Sequence, residues 1–215
     1  MAVIGPGSDP TESELCNAYG IGRLLAEHRC TVITGGLGGV MAEAARGCAE
    51  AGGTTIGLLP GAVAAAGNEH LTVALPTGLG ELRNLLVVRA ADGVIAVGGS
   101  WGTLSELALA KRMHVPTVSL DGWQISDASG TALAVDTAQT PADAVSLLLR
   151  RMGSLNSMAE PPEDERIESR GHLLPEEEAV GSDDPQRQAE VILEDSDKRT
   201  AEPEETKRRS TQTPD

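Results

Sequence analysis

The stretch from Gly93 to Glu106, Gly-Val-Ile-Ala-Val-Gly-Gly-Ser-Trp-Gly-Thr-Leu-Ser-Glu, places a carboxylate near the mouth of an anion site. Val94 to Val97 is a short apolar run, the pattern of a strand covered on both faces. Gly98, Gly99 and Gly102 permit a tight turn and let a ligand come close to the backbone, with Ser100 and Trp101 between them. Thr103 is expected to open a helix, whose free N–H groups and dipole favour an anion. Glu106 then falls about one turn into that helix. It would repel a phosphate unless it acts on another part of the ligand, so the pattern points to chemistry or to selective binding. A purely structural explanation is also open. An acid in the first turn complements the helix dipole, and Thr103-Leu-Ser-Glu106 fits the Ser/Thr-x-x-Glu capping pattern.

Two further glycine turns follow strand-like segments. Cys30-Thr-Val-Ile-Thr34 leads into Gly35-Gly-Leu-Gly-Gly39 and then a helical pattern from Val40 to Ala51. Gly36 and Gly38 supply a G-x-G, but Met41 stands where the dinucleotide fingerprint has its last glycine, and no Gly-Lys-Ser/Thr makes a P-loop. The third turn, Gly5-Pro6-Gly7-Ser8, closes the N-terminal strand. Glycine is common at such connections for geometric reasons alone. Three turns of this kind would nevertheless line the carboxyl edge of one parallel sheet, where open α/β sheets bind ligands.

The elements that must position these turns alternate along the chain. Strands are expected at Ala2–Ile4, Cys30–Ile33, Thr54–Leu58, near Leu71–Ala74, at Gly93–Val97, at Thr117–Leu120 and at Ala132–Val135. Helices are expected from the Asp9–Glu14 start signals to His28, over Val40–Ala51, Glu81–Ala90 and Thr103–Met113, and from the Thr140 cap to about Met152. Alternation of this kind implies right-handed crossovers and an α/β fold: a Rossmann-like, doubly wound parallel sheet with helices on both faces. From about Ser154 the apolar periodicity stops and runs such as Glu160-Pro-Pro-Glu-Asp-Glu-Arg166 dominate. The expected organisation is one domain over residues 1–153 and a disordered acidic tail over 154–215.

Composition narrows the function. With no Phe, one Tyr and two Trp in 215 residues, the core must be built from Val, Leu, Ile and Ala. The net charge is −15; residues 1–150 carry 14 acidic and 8 basic side chains, an acidic balance that argues against bulk nucleic-acid binding. Cys16, Cys30 and Cys48 show no C-x-x-C and no metal spacing, and read as small buried hydrophobes. The four histidines are scattered and no metal site is expected. No apolar run approaches the roughly 18 residues of a membrane helix, and the N-terminus has no signal-peptide pattern, so a cytoplasmic protein without membrane association is expected.

Residues 2 to about 152 resemble the SLOG-type Rossmann-like superfamily, on the strength of Val3-Ile-Gly-Pro-Gly-Ser8, Thr34-Gly-Gly-Leu-Gly-Gly-Val-Met41 and Gly98-Gly-Ser-Trp-Gly-Thr-Leu-Ser-Glu106. This superfamily includes the Lonely Guy phosphoribohydrolases, proteins once labelled lysine decarboxylases, and the molybdenum-cofactor carrier proteins. The stronger likeness is to the carrier-like branch. The Lonely Guy enzymes carry P-G-G-x-G-T-x-x-E; here Gly98 and Ser100 depart from it, and Gly99, Gly102, Thr103 and Glu106 match. The resemblance implies a phosphate or ligand site built from Gly5, Gly7, Ser8, Gly35, Gly36, Gly38, Gly39 and the Gly99–Thr103 loop with Ser100, Trp101 and Gly102. It also places Arg83, counted back from Asp92, where the enzymes have their catalytic arginine, with Glu106 opposing positive charge at the sugar. On physical grounds Arg83 is equally well a surface arginine, with Leu82, Leu85 and Leu86 forming the buried face. Asn84 stands where the enzymes have lysine, and with Ser100 it leans towards the carriers. The resemblance thus implies binding of a nucleotide-like or pterin-like phosphorylated ligand, with the molybdenum cofactor (molybdopterin) as the carrier-type cargo. The alternative is a nucleoside 5′-monophosphate phosphoribohydrolase. Either way a homo-oligomer, a dimer or tetramer, is implied.

Overall fold

Strands buried on both faces need apolar side chains on both, and the central segments supply them. β1 (Ala2–Ile4), β2 (Val32–Thr34), β5 (Val94–Val97) and β6 (Thr117–Leu120) are buried along their whole length. β3 (Thr55–Leu59) and β4 (Val73–Pro76) extend the sheet on one side and β7 (Asp136–Ala138) ends it on the other. The computed structural model describes residues 1–132 and 135–159. Its seven strands run in the order β4-β3-β2-β1-β5-β6-β7, and every adjacent pair is parallel. Ala2 registers with Ile33 of β2 and with Val94 of β5, so β1 lies where the strand order reverses.

The period-two alternation of the strands divides the core into two layers. Val3, Ile95 and Val97 face one way, against Ile21 and Leu25 of α1 (Glu12–Glu27), Val40 and Ala44 of α2 (Val40–Glu50), and Val145 and Leu148 of α5 (Pro141–Ala159). Ala2, Ile4, Val94 and Ala96 face the other way, against Val87 and Val88 of α3 (Arg83–Arg89) and Leu107 and Ala110 of α4 (Trp101–Arg112). This is the doubly wound α/β sheet expected from the sequence, and Met1–Leu155 forms a compact unit.

Local chemistry moves several boundaries. α1 is capped by Thr11 rather than by Asp9: the Thr11 hydroxyl accepts from Glu14 N–H, and the Glu14 carboxylate accepts from Thr11 N–H at 2.7 Å. The helix expected over Glu81–Ala90 splits into a 3₁₀ turn at Gly80–Leu82 and the seven-residue α3. The last strand lies at Asp136–Ala138, beyond the expected Ala132–Val135; Ala132 instead bridges Ser126. α5 starts at the expected Thr140 cap and extends to Ala159. The three cysteines are free, but only Cys48 is fully buried; Cys16 is exposed, because its position on α1 turns away from the sheet. Residues 160–215, most of the segment expected to be an acidic tail, lie outside the described residues. No helix among the described residues is long and apolar enough to cross a membrane.

Candidate functional site at the carboxyl edge of the sheet

The strand order sends the connections after β1 and β5 to opposite sides, and the crevice this opens is where doubly wound sheets place ligands. A cleft of about 1090 Å³ occupies that position. Gly5 and Gly7 line it from the end of β1, Gly35 from the end of β2, and Ser100, Trp101, Gly102 and Thr103 from the start of α4. Arg83 and Glu106 line it as well.

Ser8, Gly36, Gly38, Gly39 and Gly99, also singled out in the sequence, lie outside the cleft lining. Two of them shape the turn from behind. Gly36 has φ +76°, where a β-carbon would run into Leu59, and Gly39 has φ +63°, where one would run into the Pro6 carbonyl. Gly99 is covered by the Trp123 indole, which occupies the space a β-carbon would need.

Arg83 and Glu106 carry the only buried charged side chains among the described residues, the residues being 8% and 6% exposed. Arg83 Nη1 stands 3.6 Å from Glu106 Oε1, beyond good hydrogen-bond distance, so this is a loose ion pair. Burial pushes the Glu106 carboxyl up to about 7, against the opposing pull of Arg83. Burial lowers the Arg83 guanidinium from its ordinary value, and Glu106 counters that. Arg83 Nε is fully buried and has no hydrogen-bond partner among the described residues. Gly35 makes room for this group: any β-carbon there would overlap the guanidinium.

The alternative placement of Arg83 is thereby corrected. Leu82, Leu85 and Leu86 are exposed, at 75%, 46% and 38%, and Arg83 turns inward with Val87 and Val88. A helix of only two turns with apolar residues on both sides carries too little periodicity to say which side faces the sheet.

The capping explanation of Glu106 falls too. α4 begins at Trp101, two residues before the expected Thr103, and its cap is Ser100. Ser100 is extended (φ −144°, ψ 170°) and its hydroxyl accepts from Thr103 N–H at 3.2 Å. Glu106 therefore has no role in the cap. Ser100, a departure from the Lonely Guy motif, takes up an N–H that glycine would have left for an anion. Asn84 donates to Ser105 Oγ at 3.4 Å, a neutral contact where the enzyme pattern has a lysine.

A parallel sheet with its crevice at the reversal of strand order defines a Rossmann-like α/β protein. The chain belongs to the SLOG cluster4 family, whose family model matches residues 1–145. It is similar to the molybdenum cofactor binding protein from the phototrophic bacterium Rippkaea orientalis, with a TM-score of 0.62 and 34% identity over 70% of this chain and 95% of that one. It is also similar to the molybdenum cofactor carrier protein from Chlamydomonas reinhardtii, with a TM-score of 0.62 and 32% identity over 71% and 97% of the two chains. An uncharacterized protein of Archaeoglobus fulgidus is 37% identical over 120 residues, 56% of this chain and 78% of that protein.

Proposed function

We propose that this protein holds a phosphate-bearing, pterin-like or nucleotide-like ligand in the cleft, as a carrier of the molybdenum-cofactor type. The observation that carries the reading is the buried Arg83 guanidinium in the wall of a cleft large enough for such a ligand. Its contact with Glu106 is loose, at 3.6 Å, and an anionic ligand would give the guanidinium a closer charged acceptor. The Trp101 and Gly102 N–H groups at the start of α4 offer further donors to a phosphate. Among the described residues no group of three or more His, Cys, Asp or Glu side chains is placed to hold a metal ion, so on this reading the metal travels on the pterin. The names of the two similar structures support a cargo of this kind.

A second reading rests on the Arg83–Glu106 pair. In a phosphoribohydrolase, water adds at C1′ of the ribose, the N-glycosidic bond breaks, and the departing base keeps the bonding electrons and takes a proton. Glu106 near 7 would suit either proton donation or stabilisation of the cationic sugar. Ser100 and Asn84 weigh against this reading, since each removes an anion-binding element of the enzyme motif.

The test compares wild type with Glu106→Ala and Arg83→Met. Protein purified from cells that make the molybdenum cofactor is oxidised and its released pterin measured by fluorescence, while separate samples are incubated with a panel of nucleoside 5′-monophosphates. Co-purifying pterin that Arg83→Met loses, without release of free base, is the expected result. Base release that disappears in Glu106→Ala, with no pterin, would replace the carrier reading with the enzyme. The same reading includes self-association through the exposed Leu82, Leu85 and Leu86 face, which light scattering on wild type and Leu82→Glu would check.

A further inference from the structure

A second cavity, of about 400 Å³, opens at the carboxyl ends of β6 and β7. Its size lies within the range of about 300–1,000 Å³ common for ligand pockets. Leu107, Ser119 and Ala138 form a buried floor, 5%, 7% and 6% exposed. Gln124, Thr137 and Gln139 stand on its rim, and their side chains make no hydrogen bond with any other described residue. Trp123 forms a wall.

Trp123 also joins this cavity to the main cleft. Its ring covers Gly99, in the turn that leads to α4. It makes a T-shaped contact with Trp101 of the cleft wall, with ring centroids 5.2 Å apart and planes at 81°. The loop that carries it leaves β6 through Asp121, in the left-handed region at φ +54°, where the carboxylate accepts from Asn17 Nδ2 at 2.9 Å. Both indoles remain open to solvent, Trp101 at 80% and Trp123 at 45% exposed. They are the only tryptophans in a chain that has no Phe and a single Tyr. Two aromatic rings set between two cavities at a ligand edge offer a surface on which a flat ring can stack.

We infer that the site is bipartite: the cavity beneath Trp123 receives the planar heterocycle of the ligand whose phosphate lies at the start of α4. This rests on the proposed binding function and adds to it the residues that read the ring. Trp123 offers a π-face, and the carboxamides of Gln124 and Gln139 offer paired donors and acceptors to the ring edge, as such amides do with purines. The ligand class is a fused heterocycle with an amide-like edge, linked to a phosphate. Guanine and pterin share that edge, a 2-amino-4-oxo pyrimidine.

The experiment uses the full chain and two probes, guanosine 5′-monophosphate and ribose 5-phosphate, which lacks the ring. Affinities are measured by calorimetry on wild type, Trp123→Ala, the Gln124→Ala/Gln139→Ala double variant and Arg83→Met. Trp101→Phe leaves Trp123 as the only indole and provides a fluorescence reading at the cavity. Guanosine 5′-monophosphate is expected to bind more tightly than ribose 5-phosphate and to quench Trp123 in Trp101→Phe. The Trp123 and double glutamine variants are each expected to weaken it about tenfold, the scale of a lost stacking partner or a pair of hydrogen bonds, while ribose 5-phosphate is unaffected. Arg83→Met should weaken both probes. Equal binding of both probes by wild type and the cavity variants, with loss only in Arg83→Met, would overturn the bipartite site and leave the phosphate site standing. Binding of neither probe by wild type would remove both.

Discussion

Replacing Glu106 with glutamine should make the protein more stable at alkaline pH, although it removes the negative half of a buried ion pair. The Glu106 carboxyl is raised from 4.5 to about 7 in the folded protein, so its charged form is disfavoured there by about 3 kcal/mol. Between those two values the folded state holds a proton that the unfolded state has released, and stability falls as pH rises through that window. The stabilisation is complete below about 4.5 and lost by about 8. Glutamine resembles the protonated acid in shape and charge and should behave at every pH like the wild type at low pH. For a chain of this size about 3 kcal/mol corresponds to roughly 6–12 °C in melting temperature. Thermal unfolding of both proteins at several values between pH 5 and 8 gives the comparison, and every other titrating group cancels. The expected outcome is near-equal melting at pH 5 and a gap that widens in favour of Glu106→Gln by pH 8. Parallel curves, or a variant less stable than wild type at pH 8, would refute the reasoning: the Arg83 attraction would then outweigh the desolvation of the carboxylate.

Other perturbations follow from the same geometry. Gly35→Ala puts a methyl group into the Arg83 guanidinium and should displace it, costing about 1–3 kcal/mol of stability and most of the phosphate affinity, as unfolding and calorimetry would show. Ser100→Gly frees the Thr103 N–H at a cost of only a few tenths of a kcal/mol and should tighten phosphate binding severalfold in the same titration. Deleting residues 156–215 should leave the melting temperature of Met1–Leu155 nearly unchanged, since a segment so poor in apolar residues contributes little burial.

The sheet and its glycine turns were legible because their causes are local. A strand covered on both faces is an apolar run, and a turn that brings the backbone close to its neighbours is rich in glycine. The convergence of Arg83 with Glu106 came from the position of Arg83 in a resembling motif, not from helix periodicity, which was ambiguous for Leu82, Leu85 and Leu86. The start of α4 was misplaced because Ser100 and Thr103 are both good caps, and tertiary geometry selected the first. Trp123 gave no sequence signal at all. It lies more than twenty residues beyond the turn it covers, and only the pairing of β5 with β6 brings the two together.

The position of β1 in the strand order has a consequence for how the molecule is held together. The chain builds β2, β3 and β4 on one side of β1, then crosses back to build β5, β6 and β7 on the other. One wall of the cleft therefore comes from the first sixty residues and the opposite wall from α3 and α4. A molecule seated between them is a non-covalent staple across the two halves of the chain, and its binding free energy adds to the cohesion of the sheet by mass action. Amide hydrogens of β1, β2 and β5 should then become slower to exchange together when the cleft fills. A nascent chain not yet synthesised through α4 would have only one jaw of that staple.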